Sequence, residues 1–130
     1  MDRAADSNGA RSVILIDDEE HIRVAASQAL ELAGLKVRAF ETAAQALGQF
    51  DAAWPGAVIS DIRMPGVDGM AFLQRARAID PDLPVILITG HGDVSMAVEA
   101  MRAGAYDSIE KPFAVEDLID IVSRALDKRA

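Results

Sequence analysis

Hydrophobic and polar positions fall into five strand-like runs, each followed by a helix-like stretch. Val13 to Ile16 is an apolar run that reads as a strand, and a helix follows from about Glu20 to Ala33, stopped by Gly34. Lys36-Val-Arg-Ala-Phe40 alternates with period two, as an edge strand with one wetter face does. Thr42 suits the N-cap of a helix running through about Phe50. Ala57 to Ser60 reads as the third strand and Met70 to Ile79 as the third helix, ended by Pro81 and Pro84. Val85-Ile-Leu-Ile-Thr89 is the most apolar run, expected to be buried on both faces. A fourth helix spans Val94 to Ala103 and stops at Gly104, where a left-handed residue commonly closes a helix. Tyr106 to Glu110 is a short fifth strand, and Val115 to about Lys128 a last helix with Leu118, Ile119, Val122 and Leu126 on one face.

Strict alternation of this kind implies an α/β fold, a doubly wound parallel sheet with right-handed crossovers and helices on both sides. One domain over 12–130 is expected behind a polar, disordered segment over 1–11. In such sheets ligands bind outside the carboxyl ends of the strands. Asp17, Asp18, Asp61, Thr89 and Lys111 fall at those ends, more polar groups than solvation of strand termini requires.

Composition narrows the chemistry. At 130 residues the chain can bury a substantial core, and with no cysteine it has no disulfide framework, zinc-thiolate site or thiol nucleophile. No run approaches the roughly 20 apolar residues of a membrane span, and the start carries no secretory pattern, so a cytoplasmic location is expected. A net charge of −8 argues against direct binding of nucleic acid, which depends on cationic contacts to phosphate.

Asp61 is the sharpest single feature. It closes an apolar run and opens a loop rich in turn chemistry, Pro65-Gly66 and Asp68-Gly69. Val13 to Ile16 likewise ends in Asp17-Asp18. If the two strand ends are neighbours, three carboxylates converge, a set suited to a divalent cation of the hard, oxygen-seeking kind. The plain alternative for Asp17 and Asp18 is capping of the next helix; Glu19 and Glu20 read as its solvated, dipole-favoured first turn.

Asp17-Asp18, Asp61, Ile62-Arg-Met-Pro-Gly66, Thr89-Gly90 and Lys111-Pro-Phe113 together resemble the receiver domain of two-component response regulators, over roughly Ser12 to Leu126. Leu30-Glu-Leu-Ala-Gly34, Ile59 to Gly66, Asp80-Pro-Asp-Leu-Pro84 and Thr89-Gly-His-Gly-Asp93 are most similar to receivers of NtrC-type activators, the C4-dicarboxylate transport regulators above all. His91 to Phe113 also resembles FixJ-type receivers.

The resemblance implies a (βα)5 flavodoxin-like sheet of order 2-1-3-4-5. It implies that Asp61 accepts a phosphoryl group from a sensor histidine kinase, with Thr89 and Lys111 completing the catalytic set. Mg²⁺ would be held by Asp18 and Asp61 directly, by Asp17 through water and by the Arg63 carbonyl. Backbone groups of Arg63 and Gly90 would contact the phosphoryl oxygens, and Arg63 and His91 would tune hydrolysis. A cis Lys111-Pro112 peptide is implied as well, a geometry that X-Pro bonds adopt at modest cost. The implied outcome is a conformational switch acting on a C-terminal output domain, of the sigma-54-dependent transcriptional type, or through a homodimer. No turnover beyond the domain's own aspartate is implied.

One position departs from that pattern. Ser108 stands where the family carries an aromatic residue, and serine lacks the bulk to fill or vacate a pocket as a ring does. Tyr106, two residues earlier on the same side of the strand, is expected in the core. Ser108 keeps open the reading of a receiver-like protein-binding module that is never phosphorylated. A haloacid-dehalogenase-like phosphatase would need an Asp-x-Asp pair after the first strand, where this chain has Asp17-Asp18-Glu19. A flavodoxin-like cofactor binder would need a phosphate cradle where four acids stand.

Overall fold

The structure, a computed structural model, describes residues 11–64, 66 and 68–129. Five parallel strands, β1 (Ser12–Ile16), β2 (Lys36–Phe40), β3 (Ala57–Asp61), β4 (Val85–Thr89) and β5 (Asp107–Glu110), form one sheet of order β2-β1-β3-β4-β5. Helices α1 (Glu20–Leu32), α2 (Ala43–Leu47), α3 (Gly69–Ile79), α4 (Val94–Arg102) and α5 (Val115–Arg129) connect and follow them. The expectation of a disordered segment over 1–11 lies outside the described residues except at Arg11, whose carbonyl accepts the Lys36 N–H at 2.9 Å.

Period-two alternation in the central strands divides the core between the two faces. Ile14, Ile16, Val58, Val85 and Leu87 pack with Phe72, Leu73 and Ala76 of α3, Ala46 of α2 and Ala100 of α4. Val13, Leu15, Ile59, Ile86 and Ile88 pack with Leu30 of α1 and Leu118, Val122 and Leu126 of α5. Every residue of β3 and β4 is buried, as two covered faces require, whereas the β2 edge leaves Lys36, Arg38 and Ala39 exposed.

Local signals set the ends. Thr42 and Gln45 form a reciprocal capping box at α2. Asp68 accepts the Ala71 N–H at 2.9 Å and starts α3. Gly34 and Gly104 follow α1 and α4 with φ of 93° and 107°, which a side chain would strain. Helix α2 stops at Leu47 rather than near Phe50, because Gly48 takes the C-cap. Tyr106 precedes β5 and packs with the α5-side cluster, while Ser108 borders α4. The two residues therefore do not share a side of the strand, since the alternation begins only at Asp107. Among the described residues no helix is long and apolar enough to cross a membrane.

Candidate functional site

Parallel pairing sets Ile16 beside Ser60, Asp61 beside Ile88 and Thr89 beside Glu110. The residues that leave β1, β3, β4 and β5 therefore share one rim. Asp17 is fully buried there. Its Oδ1 accepts the Glu19 N–H at 2.9 Å, while Oδ2 has no hydrogen-bond donor among the described residues and faces the Lys111 ammonium at 3.4 Å. Asp61 is 7% exposed. Its Oδ1 accepts the Arg63 N–H at 3.1 Å, and its Oδ2 accepts from Lys111 Nζ at 2.9 Å. The same ammonium donates to Glu19 Oε1 at 2.6 Å. The Lys111-Pro112 peptide is cis, in line with the resemblance.

Carboxylate oxygens of Asp17, Glu19 and Asp61 lie within 4.8 Å of one another. Asp18 is exposed and is not one of the three. Asp17, the first residue past β1, is buried, whereas Glu19 is itself exposed and meets the other two carboxylates where the Lys111 ammonium bridges it to Asp61. No local pattern marks Glu19, which composition alone assigns to solvent.

Electrostatics follow from burial and from the Lys111 ammonium. Burial pushes the Asp17 carboxyl above its ordinary value; Asp61 adds to this, while the Glu19 N–H and Lys111 oppose it. Burial alone would lower the Lys111 ammonium, but its bonds to Glu19 and Asp61 outweigh that and leave it firmly charged. The Lys111 bond holds the Glu19 carboxyl below its usual value. A buried carboxylate oxygen without a donor, inside a group of three carboxylates, fits a hard divalent cation.

The remaining expected residues surround this center. Thr89 is buried, and its hydroxyl donates to the Ile109 carbonyl at 3.4 Å. The Gly90 N–H donates to Asp93 Oδ2 at 2.9 Å. Arg63 turns its guanidinium to Asp93, with Nε 2.7 Å from Oδ1. His91 has a fully exposed side chain 3.5 Å from Glu110. Ser108 lines a groove of about 330 Å³ with Thr89, Val98 and Met101. Asp93, buried and bonded to two residues of the site, is a participant that no local sequence pattern marks.

The family pattern of the response regulator receiver domain matches residues 13–123. The C4-dicarboxylate transport transcriptional regulatory protein DctD of Pseudomonas aeruginosa is 57% identical over 117 residues, covering 90% of this chain and 25% of that protein. The DNA-binding transcriptional regulator NtrC of Escherichia coli K12 is 40% identical over 114 residues, covering 88% of this chain and 24% of that protein. This chain thus spans about a quarter of the length of these curated relatives. Among solved structures, the receiver domain of NtrX from Brucella abortus is 39% identical with a TM-score of 0.83, covering 88% of this chain and 98% of that one. Fold, rim chemistry and these likenesses agree, and the chain belongs to the response regulator receiver domain family.

Proposed function

We propose that this domain accepts a phosphoryl group on Asp61 from the phosphohistidine of a sensor kinase, in a Mg²⁺-dependent reaction. The single observation that carries this is the Lys111 ammonium held 2.9 Å from Asp61 beside a buried, partly unbonded Asp17. An Asp61 oxygen attacks phosphorus as the P–N bond to the imidazole breaks, leaving an acyl phosphate. The bond's electron pair stays on that ring nitrogen, and the proton already on the other ring nitrogen makes the leaving imidazole neutral. Such a transfer is governed by positioning and by neutralisation of charge on the phosphoryl oxygens. Lys111 follows the phosphoryl group as a compact cation. Thr89 and the Gly90 N–H supply donors from the neighbouring strand end. Asp17, Asp61, the Arg63 carbonyl and Asp18, turned inward from its exposed position, would hold Mg²⁺, with Glu19 alongside. When bound, the ion adds the positive charge that lets a phosphoryl group rest among carboxylates.

The likeness to the transcriptional regulators DctD and NtrC supports a place in a longer regulator. A cytoplasmic location, sigma-54-dependent activation as its output and a homodimer as its phosphorylated form are part of the same proposal, carried by the family resemblance. His91 and Arg63 border the site and would set the acyl phosphate's lifetime. The test is incubation with a small phosphodonor and Mg²⁺, read by intact mass. We expect one phosphoryl group on the wild-type chain and none on Asp61→Asn. An adduct that persists in Asp61→Asn, or multiple turnover of assorted phosphomonoesters, overturns the reading.

A further inference from the structure

Asp93 is a buried carboxylate at the N-cap of α4, yet its side chain caps no N–H of that helix. Both oxygens are taken by the site instead. Oδ1 holds the guanidinium of Arg63, 2.7 Å from Nε, and Oδ2 accepts the Gly90 N–H at 2.9 Å. Arg63 is the second residue after Asp61, and its own N–H donates to the Asp61 carboxylate at 3.1 Å. Gly90 follows Thr89 at the adjoining strand end. Two cationic or N–H groups flanking Asp61 are thus occupied by an anion that belongs to another helix.

We propose that Asp93 is a built-in competitor of the phosphoryl group, and that its displacement is what couples Asp61 to α4. The inference rests on the phosphoacceptor reading and deepens it. A phosphoryl group on Asp61 brings close to two negative charges and three acceptor oxygens. It draws Arg63 and the Gly90 N–H toward itself, and Asp93 loses both partners. A freed Asp93 carboxylate then takes the ordinary N-cap role on the open N–H groups of α4's first turn, which re-seats the helix. The fold leaves room for that movement. Ser108 opens the groove between Thr89 and α4 residues Val98 and Met101, where a larger side chain would back the helix. Asp93 is therefore a positioning residue, acting through Arg63 and Gly90, and it gives a receiver without a ring at residue 108 another route from site to surface.

Competition and simple bracing make opposite demands on two variants. Asp93→Ala removes the competing anion, whereas Arg63→Ala removes a group the phosphoryl oxygens would gain. Beryllofluoride, in Mg²⁺, is titrated against both variants and followed at the Gly90 amide by NMR. Because bonds involving charged groups are the strong ones, Asp93→Ala should bind about tenfold more tightly and Arg63→Ala several-fold more weakly. Shifts in the same direction for both variants identify a mere strut and overturn the proposal. In the free proteins, with no phosphoryl mimic, both variants should displace the amide signals of α4 and leave those of α1 in place. Unmoved α4 signals in both also overturn it, and Arg63→Ala changes a side chain 68% exposed, so the fold tolerates it. Displaced α4 signals together with no binding of beryllofluoride to the wild type leave the Asp93 clamp standing and remove the phosphoacceptor reading.

Discussion

The Lys111 ammonium lies 2.9 Å from the Asp61 carboxylate and is at the same time bonded to Glu19 at 2.6 Å. One cation from the end of β5 thus holds together acids that leave β1 and β3. Replacing it by Met, of similar length without charge, leaves those acids in mutual repulsion. We expect Lys111→Met to lower the melting temperature in chelator and to gain more from Mg²⁺ than the wild type does. Differential scanning fluorimetry with and without Mg²⁺ checks this. Equal Mg²⁺ increments in the two proteins would show that Lys111 and the cation do not share a site.

Asp17 presents the opposite case, a buried charge that the metal-free fold would be better without. Its carboxyl is pushed up by burial and by Asp61. Asp17→Asn should raise metal-free stability by about 1 kcal/mol, roughly 4 °C for a domain of this size, and abolish most of the stabilisation by Mg²⁺. A variant less stable than wild type in chelator would show that the carboxylate is fully compensated by Lys111.

At the far end of the sheet, Arg129 fastens α5 to the loop before β4. Its guanidinium donates to Asp80 Oδ2 at 2.6 Å, to the Asp82 carbonyl at 2.7 Å and to the Trp54 carbonyl. Burial would raise the Asp80 carboxyl, but its bonds to Arg129 and to the Asp82 N–H bring it below the ordinary value. A depressed carboxylate contributes stability above the unfolded value, about pH 4, and loses it as pH falls through the folded value. Urea melts across the acid range should show that loss in the wild type and a flatter profile in Arg129→Ala, which is less stable by ~2 kcal/mol at pH 7. Parallel acid profiles for the two proteins would exclude the pair as a source of acid sensitivity.

Ser108 leaves the groove beside α4 unfilled. Ser108→Phe should place a ring against Val98 and Met101, slow hydrogen exchange across Val94–Arg102 and add roughly 1 kcal/mol of stability from apolar burial. Faster exchange in α4 would mean that the groove does not admit a ring.

Much of this is legible in the sequence. Apolar runs ending in Asp17 and Asp61, the Thr42 cap and the glycines after α1 and α4 are local signals, and the structure has each at its place. The strand order follows from the resemblance alone, and the sheet has it. What local reading missed is tertiary. Glu19 joins the site only because Lys111 reaches it across a separation of 92 residues. Asp93 meets Arg63 from 30 residues away, and Arg129 meets Asp80 from 49. No periodicity records such pairs, since each is set by the sheet's register and by side-chain reach. Tyr106 departs from its expected side for a simpler reason: the strand alternation starts one residue later, at Asp107.

The most direct measurement locates the phosphoryl group itself. Protein treated with a small phosphodonor in Mg²⁺ is reduced with borohydride, which turns an aspartyl phosphate into homoserine, and its peptides are mapped by mass spectrometry. Homoserine at residue 61 alone, lost when Mg²⁺ is withheld, is the expected result. Homoserine at residue 17 or 18, or none at all, contradicts the assignment of Asp61 as the acceptor.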